Sequence, residues 1–333
     1  MRAGRHPQVQ KLEEHVSEAL RRDLTEQEKF SFAPFRPEQA EQRGNSDYSY
    51  WRSTFRAFRK HWIANALLVL LVLILLFTFV QPLLPGQFDP NAIANGENGL
   101  PLKNQAAGAV HWLGTNSIGQ DLWARVWAGT RNSLIIGISV ALIEAAVGIL
   151  VGVLWGYVRQ LDFVLTELYN ILDNIPTTIV LILVSFLLRP GMGTIIFAMS
   201  ITGWISMARF VRNQVLIIRD REYNIASRAL GTATWRIMTR NLLPYLVSVI
   251  MLRMALSIPG AIGSEVFITY IGLGLPIEVC SLGNLINEGR KLMMSPNLRY
   301  QLIYPTIILS VVTVSFYIIG NAFSDAADPR NHR

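Results

Sequence analysis

The stretch from Ile63 to Val80 is almost wholly apolar and, with its flanks, is just long enough to cross about 30 Å of hydrocarbon at about 1.5 Å per residue. Similar runs at about Ser133 to Trp155, Ile175 to Leu188, Thr194 to Leu216, Tyr245 to Ile268 and Leu302 to Asn321 bring the predicted number of spans to six. The third is the shortest and its ends are the least defined. At 333 residues, with 51% hydrophobic and 16% charged, the chain is too apolar for a soluble protein and too long for a single anchor. The expected fold is an all-α polytopic membrane protein.

Lys and Arg give the orientation. With the amino terminus inside, inner segments hold 12, 1, 7 and 2 of them, the seven counting Arg209 and Arg212 near the end of the fourth span. Outer segments hold 3, 1 and 3, and Arg253 lies within a span. The reverse topology would violate the positive-inside rule. Residues 1–61 are thus expected to be a cytoplasmic tail, in which Leu12, Val16, Leu20 and Leu24 are spaced as a modest amphipathic helix. Near 50–62, Tyr50, Trp51, Phe55, Phe58 and Trp62 interleave with Arg52, Arg56, Arg59 and Lys60, which suits a helix at headgroup level in contact with lipid. Nucleic-acid binding is the rival for such a mix, and adjacency to a span argues against it. Residues 62–82 form the first transmembrane helix, 83–131 an extracytoplasmic loop, 132–321 a five-helix core and 322–333 a cytoplasmic tail. No apolar core region of a leader occurs in the first 60 residues, so the first span is expected to be an uncleaved anchor.

The only long polar segment within the hydrophobic part is 219–244. Glu222 to Leu230 is rich in helix formers, Gly231 suits a C′ position with positive φ, and Thr232 or Thr234 is a candidate cap for a second short helix. Pro244 fits the entry to the next apolar run. Tyr223, Ala226 and Leu230 share a face, and Ala226 and Ala229 keep the surface low. This is a shape for docking into a groove, although a basic helix lying on anionic lipid would read similarly.

The order Glu222, Ala226, Gly231 and Pro244, between two spans, resembles the Glu-Ala-Ala loop of ABC importer permeases. Ser227 stands where a second Ala is common, and Asn241 where the dipeptide and oligopeptide branch often has His. Other motifs are similar to that branch: His111, Leu113-Gly114-Thr115, Gly119 and Asp121, with Arg125 and Gly129; Gly272-Leu273-Gly274-Leu275-Pro276; Ser281-Leu282-Gly283-Asn284; and the closing Asp325 to Arg330. In the first loop Asn116 replaces a usual Asp and Gln120 a usual Arg, so no ion pair is expected there. His111 and Asp121 have no partner at a spacing useful for catalysis, and a turn-rich external loop is the better reading.

The resemblance implies a type I importer permease with a homologous second permease subunit, two ATP-binding subunits and an extracytoplasmic solute-binding protein. Glu222, Tyr223, Ala226, Ala229, Leu230 and Gly231 would couple it to the ATPase. The substrate would be peptides, with nickel, glutathione and sugar importers in the same branch. No Gly-x-x-x-x-Gly-Lys-Ser/Thr pattern occurs, so ATP chemistry is expected in another chain and the chain itself is not expected to be an enzyme or to need a cofactor. A secondary transporter would show internal repeats and ion-coupling carboxylates, and only Glu144 is acidic at mid-depth. An intramembrane enzyme or metal site is disfavoured because Cys280 is alone and all five His lie outside the spans.

Two charges fall within hydrocarbon. Glu144 lies about 17 Å down from Ser133 and Arg253 about 12 Å up from Tyr245, depths that coincide in a core of about 30 Å. Each unpaired charge costs at least about 2.5 kcal/mol there, so the two are expected to face each other or a shared hydrated cavity.

Overall fold

The structure, a computed structural model, describes residues 50–189 and 191–327, and among them it is helical with no strands. The amphipathic helix expected near residues 12–24, with the rest of 1–49, and the tail at 328–333 lie outside the described residues. Inside hydrocarbon each backbone N–H and C=O must be satisfied within the chain, and a helix achieves this segment by segment.

Helix α1, Tyr50–Phe58, precedes α2, Trp62–Val80, which with a 3₁₀ turn forms an apolar span Trp62–Leu83. The Asn65 amide donates to Phe58 O and His61 O, closing the end of α1. Phe58 is buried against Phe323, 6.0 Å between ring centroids, while Phe55 and Trp62 stay exposed. One side of the expected interfacial helix therefore packs on protein.

Helix α3 runs Leu122–Tyr157, beginning well before the expected Ser133. The Asp121 carboxylate accepts from Ala124 N at 2.8 Å and caps it. The last ten residues of the expected external loop, 122–131, are thus the first turns of this helix.

The third span is also different from expectation. Residues 159–174, read as a loop, form α4, Arg159–Asp173; α5, Thr177–Leu187, comes after a 75° bend at Asn174 to Pro176. Eleven residues reach only about 16 Å, so α5 cannot cross alone. Together the pair runs along α6, Met192–Ile218: Asp162 pairs with Arg212 of α6 at 2.6 Å, Tyr169 packs with Ala208, and Leu181 shares a core with Ile195 and Met199. Counted as one broken crossing, it brings the total to six.

After α6 come α7, Glu222–Ala229, and α8, Thr234–Ile237; a π-helical turn, Met238–Leu242, joins α8 to α9, Leu243–Tyr270. Helix α10, Leu282–Lys291, lies outside the bundle, and α11, Tyr300–Ala327, closes it, running through residues 322–327 that were expected to begin the tail.

The tightest seam joins α3 to α6. Gly148, Gly152 and Gly156 recur every four residues on α3, and a Cβ at each would come within 2.5, 2.5 and 2.7 Å of Met207, Ala208 and Val215. Helices in lipid gain by dispersion rather than by expelling water, so small residues that let backbones approach decide the interface.

Candidate functional site

Helix α7 is fastened from beneath and bare above. Asn224 is fully buried; its amide donates to Ile218 O at 2.9 Å and its oxygen accepts from Asn241 at 3.1 Å. Asn241 also donates to Ser227 Oγ at 3.3 Å. The two departures from the family pattern, Ser227 and Asn241, therefore meet each other. Arg228 and Arg219 both pair with Asp220, at 3.1 and 3.2 Å, and these contacts, the hydrogen bond from Arg228 first, hold the Asp220 carboxyl below its ordinary range.

On the other side, Glu222, Tyr223, Ala226, Ala229 and Leu230 are all exposed, Leu230 at 85%. A large apolar side chain left so open at the tip of a polar hairpin marks a contact surface. Gly231 has φ +76°, and the chain closes α7 with Gly231 N donating to Arg228 O and Thr232 N to Ser227 O, both 3.0 Å, the paired bonds of a Schellman ending. The expected Thr cap is not used. Ala233 occupies the N-cap of α8 without a side-chain bond, because Thr232 is consumed in closing α7 and Thr234 is already helical.

The outer region is a hydrogen-bonded scaffold. His111 and Asp121, expected to lack partners, are each other's: Nδ1 lies 2.7 Å from Asp121 Oδ1, both side chains buried. A ten-residue separation hid this, since two tight turns bring the ends together. Gly114, at φ +78°, makes one of them, and a Cβ there would overlap Gln105 O. The absence of an ion pair at 116 and 120 holds, and Asn116 Nδ2 instead donates to Gln120 Oε1 at 2.9 Å. Fully buried Arg125 reaches Gln120 and, at 3.1 Å, Glu288 of α10.

Sequence reading passed over a second node. Glu265 of α9 is fully buried and accepts from Ser281 Oγ at 2.8 Å, Thr269 Oγ1 at 3.0 Å and Ser133 Oγ at 3.2 Å. Ser281 in turn caps α10 through Asn284 N, and Ser133 accepts from Leu282 N. One carboxylate thus ties α3, α9 and the start of α10. The sequence offered only the acidic residue in an apolar run as its signal.

The expected direct contact between Glu144 and Arg253 is absent; neither takes part in an ion pair within 4.0 Å among the described residues. Both line one cavity of about 300 Å³, the alternative the depth argument allowed. Gly203 of α6 makes room for the Glu144 carboxylate, which a Cβ at that position would overlap. The Arg253 guanidinium sits 5.9 Å from the centre of the Phe210 ring.

A six-crossing helical bundle that carries a fastened, outwardly bare helical hairpin between two spans is the architecture of a membrane permease. Known proteins place it: residues 148–333 match the binding-protein-dependent transport system inner membrane component, and residues 49–106 match the N-terminal TM domain of oligopeptide transport permease C. The chain belongs to the former family, the permease components of ABC importers. It is 39% identical to the oligopeptide transport system permease protein AmiD of Streptococcus pneumoniae, over 86% of this chain and 92% of that one. It is 35% identical to the dipeptide transport system permease protein DppC of Bacillus subtilis, over 86% and 87%. To the oligopeptide transport system permease protein OppC of Bacillus subtilis it is 32% identical, over 87% and 93%.

Proposed function

We propose that this chain is one transmembrane subunit of an ATP-driven importer that passes peptides across the cytoplasmic membrane. It works beside a homologous second permease, two ATP-binding subunits that hydrolyse ATP, and an extracytoplasmic binding protein that delivers the solute. Both termini and the 219–244 segment face the cytoplasm, the side that the Lys and Arg distribution favours. The observation that carries this reading is α7, whose Tyr223, Ala226 and Leu230 face is exposed while Asn224 and Ser227 hold its underside.

In this reading the ATPase grips that face. Closure of the two ATPases moves α7 as a rigid piece, and the bundle has two packings, inward-open and outward-open, that the motion selects between. Because Asn224 and Asn241 link α7 to the ends of α6 and α9, displacement of the hairpin is passed to those spans without slack.

Ala226→Trp tests it. The site is exposed, so the variant chain accumulates in the membrane at ordinary levels, yet it loses co-purification of the ATPase subunits and loses peptide uptake. Normal uptake would remove the docking face. Gly231→Val weakens coupling through the backbone, since a β-branched residue at positive φ costs on the order of 1–2 kcal/mol, and no neighbouring atom lies close enough to clash.

A further inference from the structure

In the charged cavity two opposite charges lie within the spans without being joined. Its walls come from four elements. Glu144 stands on α3, Arg253 and Ser257 on α9, Thr202 and Ser206 on α6, and Thr177 at the start of α5. Apolar side chains, among them Leu181, Met199 and Leu256, fill the spaces between these polar groups. At about 300 Å³ it lies at the small end of ligand pockets, room for a dipeptide or for one end of a longer chain.

Desolvating a carboxylate and a guanidinium without joining them is costly, and intramembrane charges otherwise pair with one another or serve a pathway. Here the fold holds them apart. Gly203 gives Glu144 a seat on α6, and Phe210 gives Arg253 a ring face to lie against. The gap between them carries hydroxyls that both donate and accept.

We propose that this cavity is a transient binding site for the charged main-chain ends of a peptide in transit, with Glu144 receiving the ammonium group and Arg253 the carboxylate. This rests on the peptide-importer reading above and adds to it a residue-level site within the membrane. The physical logic is that side chains vary from peptide to peptide, whereas the two termini and the amide between them do not. A site built from one carboxylate, one guanidinium and several hydroxyls recognises what all peptides share. A purely cationic or purely anionic solute would leave one of the two charges unmatched, which the site penalises.

The test uses the assembled importer in proteoliposomes, with its binding protein, ATP and an alanine dipeptide as the probe. Uptake by the unaltered assembly checks the peptide-importer reading by itself, and the variants are then scored against that uptake. Glu144→Gln and Arg253→Met each lower uptake at subsaturating probe by about tenfold or more, the scale of one lost charge-assisted hydrogen bond. The double variant falls further than either single one. Uptake at the unaltered level in either single variant overturns the proposal. Recovery in the double variant also overturns it, because that is the behaviour of two charges that serve each other.

A second measurement leaves both charges in place and so does not depend on how the variants fold. Ser257→Cys is exposed to a thiol reagent in the assembly without binding protein, with the dipeptide added at high concentration. Native Cys280 stays unreactive because it is buried, and that burial pushes its thiol up. The free dipeptide slows labelling of the new thiol, and its N-acetylated, C-amidated form does not. Equal protection by the two forms, or protection by neither, overturns the proposal.

Discussion

Glu265 and Glu144 are both carboxylates on spans of the same bundle, and they sit in opposite circumstances. Glu265 is wholly buried and receives three hydroxyl donors, two of which also hold the first backbone amides of α10. Glu144 lines a cavity, has no hydrogen-bond donor within reach among the described residues, and faces a guanidinium that it does not touch. The first is saturated and therefore structural. The second is left open, which costs stability and keeps the group available. Saturation of partners, more than depth or charge, separates what holds this permease together from what it has to offer a solute.

The largest expected effect comes from breaking the saturated node. Glu265→Ala strands three buried hydroxyls, opens a cavity and loosens the start of α10, and the loss should be on the order of 3–5 kcal/mol. Thermal unfolding of the purified chain in detergent would show it as a large fall in midpoint, or the chain would fail to accumulate in membranes. A Glu265→Ala protein as stable as the original would mean that the hydroxyls find other partners and that the node is dispensable.

A neutral node distinguishes saturation from charge. Asn224 is fully buried with two partners and carries no charge. Asn224→Ala should cost about 1–3 kcal/mol, because Ile218 O and the Asn241 amide are both left wanting. Its readout differs from that of Ala226→Trp: the unfolding midpoint falls together with transport, whereas the exposed-face variant loses transport alone. If Asn224→Ala changed neither, α7 would be held by backbone bonds and its fastening would have to be sought there.

Legibility in the sequence tracks the physical range of each interaction. The first and the last three spans, and the helix–glycine–helix shape around Gly231, are local patterns and stood in the sequence within a few residues. The start of α3 was missed because Arg125, Arg131 and Asn132 look like loop, yet Asp121 before Leu122-Trp123 was an N-cap in plain view. Helix α4 was missed for a different reason. Arg159, Asp162 and Asp173 give it the polarity of a connection, and the two acidic residues find their compensation in Arg209 and Arg212, far along the chain on α6. The Asn-Ile-Pro at 174–176 that breaks the third span fell at the edge of the stretch assigned to it. Gly148, Gly152 and Gly156 were readable as a seam by spacing alone. The Glu265 node was not, because Ser133 lies 132 residues away.

The smallest expected effect on stability is at the open charges, and it sharpens the contrast most. In the isolated chain, Glu144→Gln removes a charge that nothing neutralises at contact distance and leaves a group of nearly the same size in the room Gly203 provides. Arg253→Met likewise exchanges an unmatched guanidinium for an apolar chain of similar reach, at the loss of a ring contact worth about 0.5–1 kcal/mol. Replacing buried charge by neutral groups of like volume is often neutral or stabilising. Each variant should therefore unfold within about 1 kcal/mol of the original, or above it, in the same detergent and assay that register the collapse of Glu265→Ala. Removal of a saturated partner costs what its neighbours lose, whereas here no neighbour within the chain loses anything. A fall comparable to that of Glu265→Ala would show that the two charges hold the bundle together after all, through water in the cavity, and would place Glu144 with Glu265 among the structural groups.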